Sequence, residues 1–230
     1  MKKIGFIGAY DKTDMLLNIA RILTELEKKV LVVDSSVMQK ARYIVPAINP
    51  TVSYITSFED IDVAIGFDSI EKLKNYIGND DELPYDVILV DADSIGMLEG
   101  YSLDSADNNY FVTAFDMYSL RRGVEILSGL KIPLELTRVL YTKNVSKEDE
   151  EYLDYLTNDC KIKWKEDKIC FPLENVDYDA IIENQRVQKI KFKKLSFQYK
   201  DCLSLVSMQI LGEDGDWNIR KAIKNIERGV

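Results

Sequence analysis

Short apolar runs punctuate the chain at Ile4–Ile7, Val30–Val33, Val63–Ile65, Val87–Val90, Tyr110–Val112, Val139–Tyr141 and Ile169–Phe171. They are continuous rather than alternating and rich in β-branched residues, the pattern of strands buried on both faces. Between them the spacing turns helical. Met15, Leu16, Ile19, Ala20, Ile22, Leu23 and Leu26 recur at i, i+3, i+4 and i+7, one face of an amphipathic helix. Further helical stretches start near Ser69, Tyr118, Lys147 and Leu195. Strand and helix alternating in this way predict βαβ crossovers. The expected result is an α/β fold, a single three-layer domain with a mostly parallel central sheet flanked by helices.

The turn-rich acidic segment Gly212–Asp216 reads as a linker. The expected organisation is an α/β domain over 1–211, a linker over 212–216 and a basic amphipathic tail over 217–230. In the tail, Trp217, Ile219, Ile223, Ile226 and Val230 fall near helical spacing, with Arg220, Lys221, Lys224 and Arg228 between them. Three readings of Trp217–Val230 stay open: a helix packed on its own domain, a weak membrane-surface contact, or a partner-docking helix.

Composition narrows the chemistry. The 230 residues carry a net charge of −9, which opposes non-specific binding to nucleic acid over the whole surface. There is no histidine, so His general bases and His-ligated metals are excluded. The three cysteines, Cys160, Cys170 and Cys202, show no close metal spacing and read as reduced thiols of a cytoplasmic protein. Neither a signal peptide nor a membrane span is expected.

One loop carries candidate chemistry. The first apolar run leads into Gly8-Ala9-Tyr10-Asp11-Lys12-Thr13 and then the amphipathic helix. A phosphate-binding loop needs this context, because backbone N–H groups and a helix N-terminus surround the anion, a lysine reaches its terminal phosphates and a Ser/Thr hydroxyl holds Mg²⁺. Asp34 and Asp91 end two later runs, where a carboxylate next to such a loop can hold Mg²⁺ through water. The cofactor-binding candidates are Gly8, Asp11, Lys12, Thr13, Asp34 and Asp91. The metal candidates are Thr13, Asp34 and Asp91. The bland alternative is an ordinary capped helix start and polar strand ends. A dinucleotide fingerprint is absent, since Ala9, Tyr10 and Asp11 follow Gly5 and Gly8.

Residues 3–36 resemble the opening of the MinD/ParA group of P-loop ATPases, including its atypical CpaE/TadZ-type pilus-assembly members. Lys12-Thr13, Leu17-Asn18-Ile19-Ala20 and Lys28-Lys29-Val30-Leu31-Val32-Val33-Asp34 match its loop, first helix and second strand. Tyr85–Asp91 resembles its Walker B strand, Phe111–Thr113 with Ser119–Gly123 its next strand and helix, and Ile169–Pro172 the strand near its base pocket. The resemblance covers about residues 1–211 and implies a P-loop NTPase fold, ATP or ADP with Mg²⁺, a homodimer, protein partners of a larger assembly, and a cytoplasmic location that extends to the inner membrane face if the tail binds lipid.

The departures bear on catalysis. Ile7 stands where the group carries its signature lysine. Asp11 replaces the glycine before Lys12, and Ser36 replaces the switch aspartate. Ala92-Asp93-Ser94 follows the Walker B strand, and Tyr141 or Asn144 stands near the adenine-reading asparagine. Phosphoryl transfer depends on positioning and charge neutralisation, and losing one such element costs about 10²–10³ in rate. The expectation is a degenerate Walker A loop in a pseudo-ATPase: a scaffold, positioning or regulatory factor with weak or absent hydrolysis and no catalytic residues. The alternative is an active ATP-dependent dimeric switch.

A second basic stretch runs from Arg186 to Lys200 with interleaved aromatics. It reads first as a connector and helix with solvated lysines and Phe192, Leu195 and Phe197 in the core. Contact with a partner protein or acidic surface, or with nucleic acid, is the minority reading.

Overall fold

The computed structural model describes residues 1–47, 51–78, 82–212 and 216–229. Its strands are β1 (Lys2–Ile7), β2 (Val30–Asp34), β3 (Tyr54–Phe58), β4 (Ile61–Ile65), β5 (Val87–Ala92), β6 (Asn108–Thr113), β7 (Leu134–Leu140) and β8 (Ile162–Cys170). The helices are α1 (Thr13–Glu25), α2 (Ala41–Ile44), α3 (Ile70–Ile77), α4 (Ile95–Gly100), α5 (Met117–Ser128), α6 (Lys147–Thr157), α7 (Asn175–Val187), α8 (Phe197–Leu211) and α9 (Asp216–Arg228).

One sheet forms in the order β3-β4-β2-β5-β1-β6-β7-β8. Every pairing is parallel except β3 with β4. Successive strand residues point to opposite faces, and the core divides accordingly. Ile4, Phe6, Val30, Val32, Val87 and Leu89 pack with α1, α8 and α9 on one face. Ile7, Leu31, Val33, Ile88 and Val90 pack with residues of α3, α4, α5 and α6 on the other. This is the expected three-layer α/β domain with a mostly parallel sheet.

Each apolar run lies in or against a strand, and the pattern missed one strand. β3 is the antiparallel edge, joined to β4 by the two-residue turn Glu59-Asp60, whose φ angles are 52° and 64°. Both are left-handed, as a type I′ hairpin turn requires. The spacing does not show α2, α4 or α7 either. α7 starts with a capping box between Glu174 and Asp177. Asp177 is fully buried and also accepts from the backbone N–H and hydroxyl of Ser196, at 2.6 and 2.9 Å. It therefore ties the starts of α7 and α8 together.

In the basic stretch Phe192 and Leu195 are core, as expected, but Phe197 is 72% exposed. It is the first residue of α8, and the Ser196 cap turns it outward while Tyr199 takes the buried position. The expected linker falls mostly on residues 213–215, which lie outside the described residues. α9 lies against α1 and α8, with Ile219, Ala222 and Ile226 buried and Trp217 79% exposed. Asn225 donates to Glu25 of α1, and Lys200 of α8 pairs with Glu227. No described helix is long and apolar enough to cross a membrane.

Candidate functional site

The carboxyl ends of β1, β2 and β5 meet where the strand order reverses, the usual position for a ligand site in an open α/β sheet. β1 lies between β5 and β6, and Asp34 on β2 is in register with Asp91 on β5. The loop leaves β1 at Gly8, whose φ is +136°. A side chain there would also meet the Val112 carbonyl oxygen at 2.2 Å, so glycine is required for the turn.

The structure brings all the sequence-selected residues together, and their side chains bond to one another and to neighbouring protein groups. Lys12 is 2% exposed. Its ammonium lies 2.7 Å from the Gly8 carbonyl, 3.1 Å from the Tyr10 carbonyl and 2.8 Å from Asp91 Oδ1. The last contact is an ion pair without good hydrogen-bond angles. Asp34 is equally committed. Its Oδ1 accepts from the Ser36 N–H and hydroxyl at 3.1 and 2.6 Å, and its Oδ2 from the Ala41 N–H at 2.9 Å. Burial pushes the Asp91 carboxyl well above the usual carboxylate range; Lys12 opposes this and the Asp34 charge adds to it. Burial likewise raises Asp34, against its bonds to Ser36 and Ala41.

Asp11 holds the loop's donors from within. Its Oδ1 accepts from the Thr13 N–H at 3.1 Å and from the Thr13 hydroxyl at 3.0 Å. Its Oδ2 pairs with Lys40 at 2.8 Å. The carboxylate thus caps the N-terminus of α1, where backbone donors and the helix dipole favour an anion. Burial acts to raise its pKa, but the bonds from Lys40 and Thr13 outweigh this and hold it below the ordinary value.

Beside the loop, the Tyr10 and Tyr141 rings lie 4.4 Å apart, and Tyr141 stacks on Phe171 at 5.2 Å. A cavity of about 240 Å³ opens next to them, lined by Tyr10, Asp11, Asp14, Tyr141, Tyr178 and Gln185 among others, and by no Lys or Arg. Asp14 accepts from the Gln185 amide at 2.7 Å. Burial, and then the Asp11 charge, push its carboxyl up to about 7, against the Gln185 bond. Asn144 is exposed. Ile7 is fully buried in the core.

Solved structures with this architecture exist. A ParA family ATPase from Chlorobium tepidum TLS superposes with a TM-score of 0.60 at 16% identity, covering 90% of this chain and 98% of that one. The chain has the fold of the ParA/MinD P-loop ATPases. An Aquifex aeolicus MinC:MinD cell division protein complex matches the ParA/MinD-like chain at TM-score 0.57 and 16% identity, covering 93% and 97%. A protein assigned to plasmid partition in Borrelia burgdorferi B31, bound to AMPPNP, matches at 0.53 and 14%, covering 100% of both chains. No family model and no curated protein sequence matches the chain.

The loop and both strand-end aspartates are legible in the sequence as candidates, whereas Lys40 and the Tyr10 ring contact are not. Lys40 lies 29 residues from its partner Asp11, beyond any local spacing signal. Tyr10 meets its ring partner Tyr141 only through the tertiary fold, which no local spacing shows.

Proposed function

We propose that this ParA/MinD-like chain is a positioning or scaffold factor for a larger assembly, one that keeps the fold of a nucleotide switch without turning over ATP. The observation that carries the reading is the Asp11 carboxylate on the Thr13 N–H and hydroxyl. These are the donor and the oxygen that a phosphate loop offers to phosphate and Mg²⁺. In this chain they hold an internal anion, neutralised by Lys40.

The metal candidates fit Mg²⁺ poorly in this arrangement. The Thr13 hydroxyl is bonded to Asp11, both Asp34 oxygens accept from Ser36 or Ala41, and Asp91 faces Lys12. Among the described residues no group of three acidic or cysteine ligands is placed to hold a metal ion. When bound, Mg-ATP would supply phosphoryl-transfer chemistry through Lys12, Thr13, Asp34 and Asp91. Each of these would first have to leave a protein partner.

The MinD of the similar complex is bound to MinC. We extend a protein-partner role, and a homodimer, to this chain on that likeness. Within this reading residues 1–211 form the functional core, with 217–230 as a segment docked on it rather than a free membrane anchor.

The test is steady-state ATP hydrolysis with Mg²⁺ present. The wild type is expected to stay at background and Lys12→Ala to match it. Sustained turnover that Lys12→Ala abolishes would establish the active switch instead.

A further inference from the structure

The two basic stretches seen in the sequence flank α8, and the fold brings them to one groove. Its volume is about 450 Å³. The connector after α7 forms one wall, the end of α9 another, and Arg21 of α1 with Glu59 of the β3–β4 turn the remainder. Five cations line it: Arg21, Lys189, Lys191, Lys193 and Arg228. Among the described residues that line it, only Glu59 and Glu227 oppose them, and Glu227 is already paired with Lys200 at 2.6 Å.

Of the five, Arg21 pairs with Glu25 at 3.3 Å and Lys191 makes a loose 3.9 Å contact with Glu183. Lys189, Lys193 and Arg228 have no ion pair or side-chain hydrogen bond with any described residue. All three are exposed. A chain of net charge −9 thus concentrates unpaired positive charge in one cleft.

We propose that this groove docks an acidic, extended segment of a partner protein. Charge complementarity selects the sign of the occupant. The groove floor selects its class. Ile190, Phe192 and Ile226 are at most 8% exposed, so no aromatic face is offered for base stacking, on which single-stranded nucleic acid binding depends. The cations lie in a concavity rather than on a flat face, so a bilayer surface reaches fewer of them than a peptide does. The overall negative charge repels long polyanions that extend beyond the groove. A short acidic segment touches the cations and little else. The site lies two turns down α1 from the loop, so it stands independently of whether the loop accepts nucleotide.

The test is fluorescence anisotropy with a fluorescein-labelled deca-glutamate peptide at low ionic strength. Wild type should bind it, and binding should weaken as salt rises. Lys193→Glu with Arg228→Glu should weaken binding at least about tenfold, as charge reversal does at complementary surfaces. Both side chains are exposed, so the fold should persist, which circular dichroism checks. The control Lys131→Glu with Lys143→Glu, whose residues do not line the groove, should leave binding unchanged. Absence of peptide binding, or equal weakening by the control, overturns the proposal. So does displacement of the peptide by an equal charge of single-stranded DNA or by phosphatidylserine vesicles, which would assign the groove to nucleic acid or lipid.

Discussion

Lys12 differs in kind from a lysine that waits in solvent for phosphate. It is buried, and it sits between two backbone carbonyls and the Asp91 carboxylate, with Asp34 on the neighbouring strand. Removing one partner of a buried ion pair costs about 3–5 kcal/mol, because the other charge is left without compensation. Lys12→Ala should therefore lower stability by about that amount with no nucleotide present, measured by urea unfolding at pH 8. A cost below about 1 kcal/mol, the range of exposed pairs, would show that Lys12 is not part of the core.

Asp14 supplies a pH signature. Its folded pKa is about 7 against an ordinary 3.8, so the folded state holds the proton more tightly. The associated stability is fully present below about pH 4 and is lost as pH rises through 7. Asp14→Asn mimics the protonated form and can still accept from Gln185. The variant should be more stable than wild type at pH 8 and gain nothing at pH 4. Unfolding midpoints at the two pH values check this, and an equal effect at both would contradict it.

At the scale of elements, α9 decides between a free tail and a docked segment. Ile219 is fully buried among residues of the same cluster as α1 and α8. Ile219→Ala should cost about 2–5 kcal/mol, the range for truncating a core isoleucine. A tail that only waits for a membrane would lose almost nothing, and thermal unfolding separates the two.

The helical stripe of α1 and the buried parallel strands were legible because their periodicity is set by local geometry. β3 was not. Its turn is Glu59-Asp60 rather than an Asn-Gly or Asp-Gly pair, so the commonest hairpin signal is missing. α7 was not legible because its apolar stripe is weak and part of its support is long-range: Asp177, in its local capping box, is also held by Ser196, 19 residues away. In the site the same divide holds. Lys12, Thr13, Asp34 and Asp91 carry motif spacing, whereas the pairing of Lys40 with Asp11 exists only once β2 and the loop are adjacent.

At the scale of the whole molecule, the fold is that of the ParA/MinD P-loop ATPases, while the loop's own carboxylate occupies the donors at its centre. An eight-stranded sheet still delivers a loop, a helix N-terminus and two aspartates to one point. Asp11 and Lys40 then close that point from within. We propose that this internal anion, rather than any loss of fold, keeps Mg-ATP out. Titration calorimetry of Mg-ATP into wild type and Asp11→Gly tests it most directly. The variant removes the carboxylate and restores glycine before Lys12. Wild type should give no binding heat at millimolar ATP, and Asp11→Gly should bind. Tight binding by wild type that Asp11→Gly does not improve would contradict the account.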